Sequence, residues 1–96
     1  MARREERVFR INDEIAALRR DEHLAFEEQI MLGHLDDDAQ RDAAVSGSPQ
    51  DAQDARETAG DVARMQRHVA DLRAAREHLE LKRDRLLEKL NASAAK

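Results

Sequence analysis

Residues 62–90 read VARMQRHVADLRAAREHLELKRDRLLEKL, and this stretch decides the fold. Apolar residues recur in it at alternating spacings of three and four, which is the pattern of a helix that buries one seam against another helix. One set of seam positions is Met65, Leu72, Leu79 and Leu86, and the other is Val62, Val69, Arg76, Arg83 and Leu90. Such a helix needs a partner in water, because tertiary packing supplies most of the stability of helices in proteins.

The first half of the chain carries a matching stripe. At the same spacing it runs through Val8, Ile11, Ile15, Leu18, Glu22, Ala25, Gln29 and Leu32. Between the halves lies Ser46-Gly-Ser-Pro49, where Gly47 suits a helix C-terminus, Ser48 an N-cap and Pro49 the first helical position. A connection this short makes antiparallel neighbours.

The sequence therefore predicts an all-α, antiparallel two-helix hairpin of the coiled-coil type, forming a single domain over residues 1–96. Helix 1 is expected at about 3–45, the loop at 46–49, helix 2 at about 49–91 and a loose tail at 92–96. Near the loop, Ala39 and Ala43 are expected to face Ala52, Ala55 and Ala59, because small residues let two helices approach closely.

Helix 1 carries a second set of apolar residues. Leu24, Met31 and Leu35 lie on the side away from Val8 and Ile15 at 3.6 residues per turn, whereas Phe26 and Ile30 are expected to extend the first face. A lone hairpin needs only one apolar stripe, so the second predicts a protein-interaction surface comprising Leu24, Phe26, Met31 and Leu35. Its simplest occupant is a second copy, which would make a homodimeric four-helix bundle. The alternative is that Met31 and Leu35 are merely exposed, as single apolar residues often are.

Two charged residues fall on the seam. Folding the chain back around Gly47 pairs positions whose numbers sum to roughly 95, which places Glu22 opposite Leu72 and Arg76. We expect Glu22 and Arg76 to lie within salt-bridge reach and to fix the register of the hairpin. The alternative is that Arg76 extends to water along its own aliphatic stem.

The composition argues against most chemistry. The chain has no Cys, which excludes disulfides, thiolate zinc sites and cysteine nucleophiles. None of its four His residues lies in an i, i+4 pair or a Glu-x-x-His pair, so we expect no metal site, no other cofactor and no enzyme activity. With a net charge of −4 and no Trp or Tyr, sequence-specific nucleic-acid binding is not expected. No apolar run is long enough to span a membrane and no signal peptide is evident, so a cytoplasmic location is expected.

The centre of the chain is acidic. Residues 36–61 carry eight acidic and two basic groups, whereas residues 62–96 carry five acidic and nine basic ones. The predicted tip would offer Asp42, Asp51 and Asp54. Over residues 36–61, with Asp51-Ala-Gln-Asp54 as the paired acids, it resembles the coiled-coil fingers of the Gre and DksA families. That resemblance implies insertion into the secondary channel of RNA polymerase. Those families also carry a second globular or zinc-finger domain, for which this chain has neither the length nor the Cys.

These features together predict a non-enzymatic helical module, a small adaptor or regulator that acts through helix-face contacts with itself or with another protein. The alternative is a transcription regulator whose hairpin binds RNA polymerase or a sigma factor. A metal- or ligand-binding bundle is disfavoured, because the Glu-x-x-His pairs that such bundles use are missing.

Overall fold

The chain forms two long helices, α1 (Ala2–Ser46) and α2 (Pro49–Ala94), in a computed structural model that describes residues 2–94. They make the predicted antiparallel hairpin, and none of the described residues forms a strand. The predicted loose tail was wrong for residues 92–94, which continue α2, and its last two residues lie outside the described part. Neither helix holds a stretch apolar and long enough to cross a bilayer within residues 2–94.

The turn between the helices is built by Gly47 and Ser48. Gly47 has a φ of 62°, a left-handed conformation that favours glycine, and its N–H donates to the carbonyl of Ala43 at 3.2 Å. Ser48 caps α2, since its Oγ accepts from the N–H of Asp51 at 3.1 Å. The Ser46 hydroxyl accepts from the N–H of Ser48 at 3.1 Å and hydrogen bonds to the Asp51 carboxylate. One helix therefore ends and the next begins within two residues.

The helices pack as two compact units, one containing residues 2–22 and 71–94 (the terminal unit) and one containing residues 23–70 (the loop unit). The terminal unit has a core of large side chains. Its buried cluster consists of Val8, Ile11, Ile15 and Leu86, with Leu79 and Leu90 packed against it. These positions belong to the 3-4 repeats of both halves, so the seam lies where the sequence predicted it in this unit.

The loop unit has a much thinner seam. Its buried side chains are Ala25, Ala55 and Val69, and Leu32 and Met65 are only half-buried. Alanine contributes little apolar area, so this unit gains less from hydrophobic burial than the terminal unit does.

The alanines near the turn follow the prediction with one exception. Ala39, Ala43 and Ala52 are half-buried and Ala55 is buried, but Ala59 is exposed, so its expected place on the inner side was wrong. The reason is periodicity, because stepping back by seven from Met65 reaches residue 58, and Thr58 takes the seam position instead.

A polar cluster links the two helices beside these alanines. The Thr58 hydroxyl donates to Asp36 Oδ1 at 2.9 Å, and Gln40 Nε2 lies 3.0 Å from the same oxygen. Gln40 Nε2 also lies 2.9 Å from the carbonyl oxygen of Ala55 on α2. Thr58 and Gln40 thus each form a hydrogen bond between α1 and α2 where apolar contacts are few. These hydrogen bonds offset part of the missing apolar burial.

Candidate protein-interaction surface

Large apolar side chains are exposed mainly in the loop unit. Leu24 is 63% exposed, Met31 65% and Leu35 53%. The same unit also exposes Phe26, Ile30 and Val45, whereas the terminal unit exposes Phe9, Leu81 and Leu87. The unit with the thinner core therefore leaves more large apolar side chains in contact with water.

Three of these side chains share one side of α1. At 3.6 residues per turn, Leu24, Met31 and Leu35 lie within about 40° of one another, and we call them the apolar stripe. Phe26 and Ile30 lie on the opposite side of the helix. The four residues predicted as an interaction surface therefore do not form one face.

The expectation that Phe26 and Ile30 extend the buried face was wrong, because each is 48% exposed. Each follows a seam residue by one position, Phe26 after Ala25 and Ile30 after Gln29. That step turns the side chain about 100° away from the seam. Phe26 and Ile30 therefore flank the seam and do not join it.

A groove between the helices runs beside the apolar stripe. Half-buried Leu32 and Met65 supply its apolar lining. The complete lining, which we call the interaction groove, consists of Glu28, Leu32, Asp61, Arg64, Met65 and His68. Glu28 lies one helical turn from Leu24 and from Met31, so groove and stripe form one continuous surface.

The groove escaped the sequence analysis. Its signal was nevertheless present, because the numbers of Glu28 and His68, and those of Leu32 and Met65, sum to within two of the 95 expected across the hairpin. Pairing the positions that flank the seam across the two helices, in addition to the seam positions, would have predicted the groove.

Charge distinguishes the two sides of the loop unit. The groove lies on one side of each helix. On α1 this side consists of the residues that are multiples of seven away from Glu28 or Met31, and on α2 of those that are multiples of seven away from Asp61 or Arg64. We call this side the acidic flank. In residues 23–70 its charged members are six acids and one base, namely Glu28, Asp38, Asp42, Asp54, Glu57, Asp61 and Arg64.

The opposite flank is almost free of charge. Its heptad positions are those of Phe26 and Ile30 on α1 and those of Arg56 and Ala59 on α2. In residues 23–70 these positions hold one acid and one arginine, Asp37 and Arg56. On the acidic flank, Arg64 forms an ion pair with Asp61. Asp38 forms an ion pair with Arg41, which lies outside the flank. The stripe and the groove therefore lie in a negatively charged setting.

The structure brings Glu22 and Arg76 together on the seam of the terminal unit. Arg76 donates to both carboxylate oxygens of Glu22, with Nη2 at 3.1 Å from Oε1. Its Nη1 donates to Glu80 Oε1 at 2.8 Å, and Arg19 Nη2 reaches the same oxygen at 3.2 Å. Arg73 Nε adds a longer contact to Glu22 at 3.9 Å.

These contacts shift two pKa values. The hydrogen bonds to Glu22 and then Glu80 raise the pKa of Arg76, and those from Arg76 and then Arg19 lower the pKa of Glu80. Both shifts favour the charged forms of Arg76 and Glu80. The charges of the network are paired within the hairpin, and its expected role in fixing the register stays a prediction.

Two of the three acids predicted at the tip, Asp51 and Asp54, form hydrogen bonds with neighbouring residues. Asp51 belongs to the cap of α2 and hydrogen bonds to Ser46, and Asp54 accepts from Gln50 Nε2 at 2.9 Å. Asp42 is exposed. The role suggested for these three residues in transcription stays a prediction.

No three His, Asp or Glu side chains in residues 2–94 converge in an arrangement that could hold a metal ion. His23 instead pairs with Glu27 on the surface of α1, at 2.9 Å.

Comparison of the chain with protein-family models, curated proteins and solved structures finds no significant match. The apolar stripe, the interaction groove and the charges around them form the candidate site.

Proposed function

We propose that this protein is a non-enzymatic helical interaction module whose loop unit binds a protein partner through the apolar stripe and the interaction groove. The observation that carries the proposal is the contrast within the loop unit. Its buried side chains are only Ala25, Ala55 and Val69, while Leu24, Met31 and Leu35 are each more than half exposed beside a groove. Contiguous exposed apolar surface of this kind commonly marks a binding site.

The magnitude of the remaining burial supports a binding role. Fully burying a Leu or Met side chain contributes about 1.5–3 kcal/mol, so the exposed part of each stripe residue can still contribute about 1–2 kcal/mol. Three such residues together offer about 3–5 kcal/mol before the groove is counted. Only the surplus over the cost of ordering and association appears as affinity, which suits a moderate, reversible contact.

The proposal is tested by capturing partners from an extract of the native organism with tagged wild type and with a Leu24→Ala, Met31→Ala, Leu35→Ala triple variant. The matched control is Phe9→Ala, since Phe9 is 67% exposed but belongs to the terminal unit. We expect a protein that the wild type and the control retain and the triple variant loses, with all three chains equally helical by circular dichroism. Identical eluates from the three chains would refute a role for the stripe.

The predicted homodimer is one form of this proposal, in which the partner is a second copy. Sedimentation equilibrium over a wide range of protein concentrations measures it directly. A dimer that the triple variant converts to a monomer would assign the stripe to self-association. A monomeric wild type would leave the stripe to a different protein.

A further inference from the structure

The apolar stripe and the interaction groove are fitted to one kind of partner, and this inference rests on the proposed function. We propose that they bind a cationic amphipathic helix of another protein, with an apolar stripe bordered by Lys or Arg. Six acids and one arginine occupy the acidic flank in residues 23–70, and that arginine is already paired with Asp61. Oppositely charged borders steer such a helix to the groove and exclude acidic ones.

The length of the stripe sets the length of that helix. Leu24 and Leu35 are eleven residues apart on α1, which is about 16 Å at 1.5 Å per residue. A partner helix of about three to four turns covers this distance, with apolar residues at i, i+3 or i+4, and i+7. Its Lys or Arg stems can pack on the edge of the stripe while the charged ends reach the acids.

A second copy fits the same surface poorly. A two-fold symmetric interface brings the same patch of both subunits together. A dimer through the stripe would therefore place one acidic flank, with its six acids and one arginine, against the other. Like charges in an interface oppose association, so the charge pattern selects a different chain as the occupant.

Binding of three labelled peptides, followed by fluorescence anisotropy, tests this inference. The peptides are helical 21-residue designs with identical leucine positions, and their flanking residues are Lys and Arg, Glu, or Gln. We expect the cationic peptide to bind, the Gln peptide to bind more weakly and the Glu peptide to bind at least tenfold more weakly than the cationic one. Added salt should weaken the cationic complex, because solvent-exposed charges are screened.

Two pairs of variants locate the site. Glu28→Gln should weaken the cationic peptide about two- to fivefold, as expected for loss of one exposed ion pair. Asp37→Asn removes the same charge from the opposite flank and should change nothing. Leu24→Ala with Met31→Ala should weaken all three peptides, whereas Phe9→Ala should leave them unchanged.

The outcomes separate the inference from the proposed function. Equal affinity for the three peptides, with loss in the stripe variant, would overturn the charge preference and leave the proposed function intact. Equal weakening by Glu28→Gln and Asp37→Asn would also overturn it, since attraction would then be unspecific. A dimer dispersed by Leu24→Ala with Met31→Ala would show that a second copy occupies the stripe. Absence of binding to any peptide would overturn the inference, while the capture experiment separately decides the proposed function.

Discussion

Ile15→Ala tests where the seam lies and how much it contributes. Ile15 is 4% exposed and belongs to the buried cluster with Val8, Ile11 and Leu86. Truncation to Ala removes three carbon atoms, worth about 2.4 kcal/mol at about 0.8 kcal/mol per buried methylene. The remaining cavity adds to this, but a seam between only two helices can partly collapse, so we expect a loss of about 2–3 kcal/mol. That is a large part of the stability of a small domain.

The matched control is Phe9→Ala on the same helix. Phe9 is 67% exposed, so only about a third of its side chain is removed from water and the loss should be about 1 kcal/mol or less. Urea denaturation followed by far-ultraviolet circular dichroism gives both free energies of unfolding, with the slope checked for constancy. Equal losses for the two variants would refute the reasoning, because Phe9 would then be covered in solution.

Three further predictions concern ion pairing, helix propensity and capping. Glu80→Gln should lower the melting temperature at neutral pH, and the difference from wild type should vanish in acid. The lowered pKa of Glu80 adds stability that is complete above the usual value of 4.5 and is lost as pH falls through the lowered one; a difference that persists in acid would contradict this. Gly33→Ala should raise the free energy of unfolding by about 1 kcal/mol, because no atom beyond the neighbouring residues and backbone of its own helix lies within 4 Å of the added Cβ. Destabilisation would reveal another chain packed there. Ser48→Ala should cost about 1 kcal/mol, and Ser48→Asp should not, because Asp still accepts from the N–H of residue 51. Equal losses in thermal melts of the two variants would exclude a capping role.

The hairpin was predictable because its signals are local and periodic. Gly47, Ser48 and Pro49 each occupy a position for which the backbone geometry selects that residue type. The 3-4 repeat then specifies which side of each helix is buried. The end of α2 was less predictable, since Ala92 and Ala94 favour helix while their place near the terminus suggested fraying.

The candidate site was only partly predictable. Helix geometry identified Leu24, Met31 and Leu35 as lying away from the first face of α1, and the structure leaves them exposed. The groove needed residues of both helices in their correct register, which the one-helix periodicity does not supply. Phe26 was expected to extend the first face, but it follows the seam residue Ala25 by one position, and that step around the helix exposes its side chain.

The alanine-rich seam of the loop unit bears on the lifetime of the chain in a cell. A segment with few large buried side chains opens locally more often than a well-packed one, and proteases cleave chains in such open states. A partner bound along residues 24–35 would hold this segment closed by mass action. Proteases would then degrade copies without a bound partner first. The concentration of the protein would therefore follow the concentration of its partner.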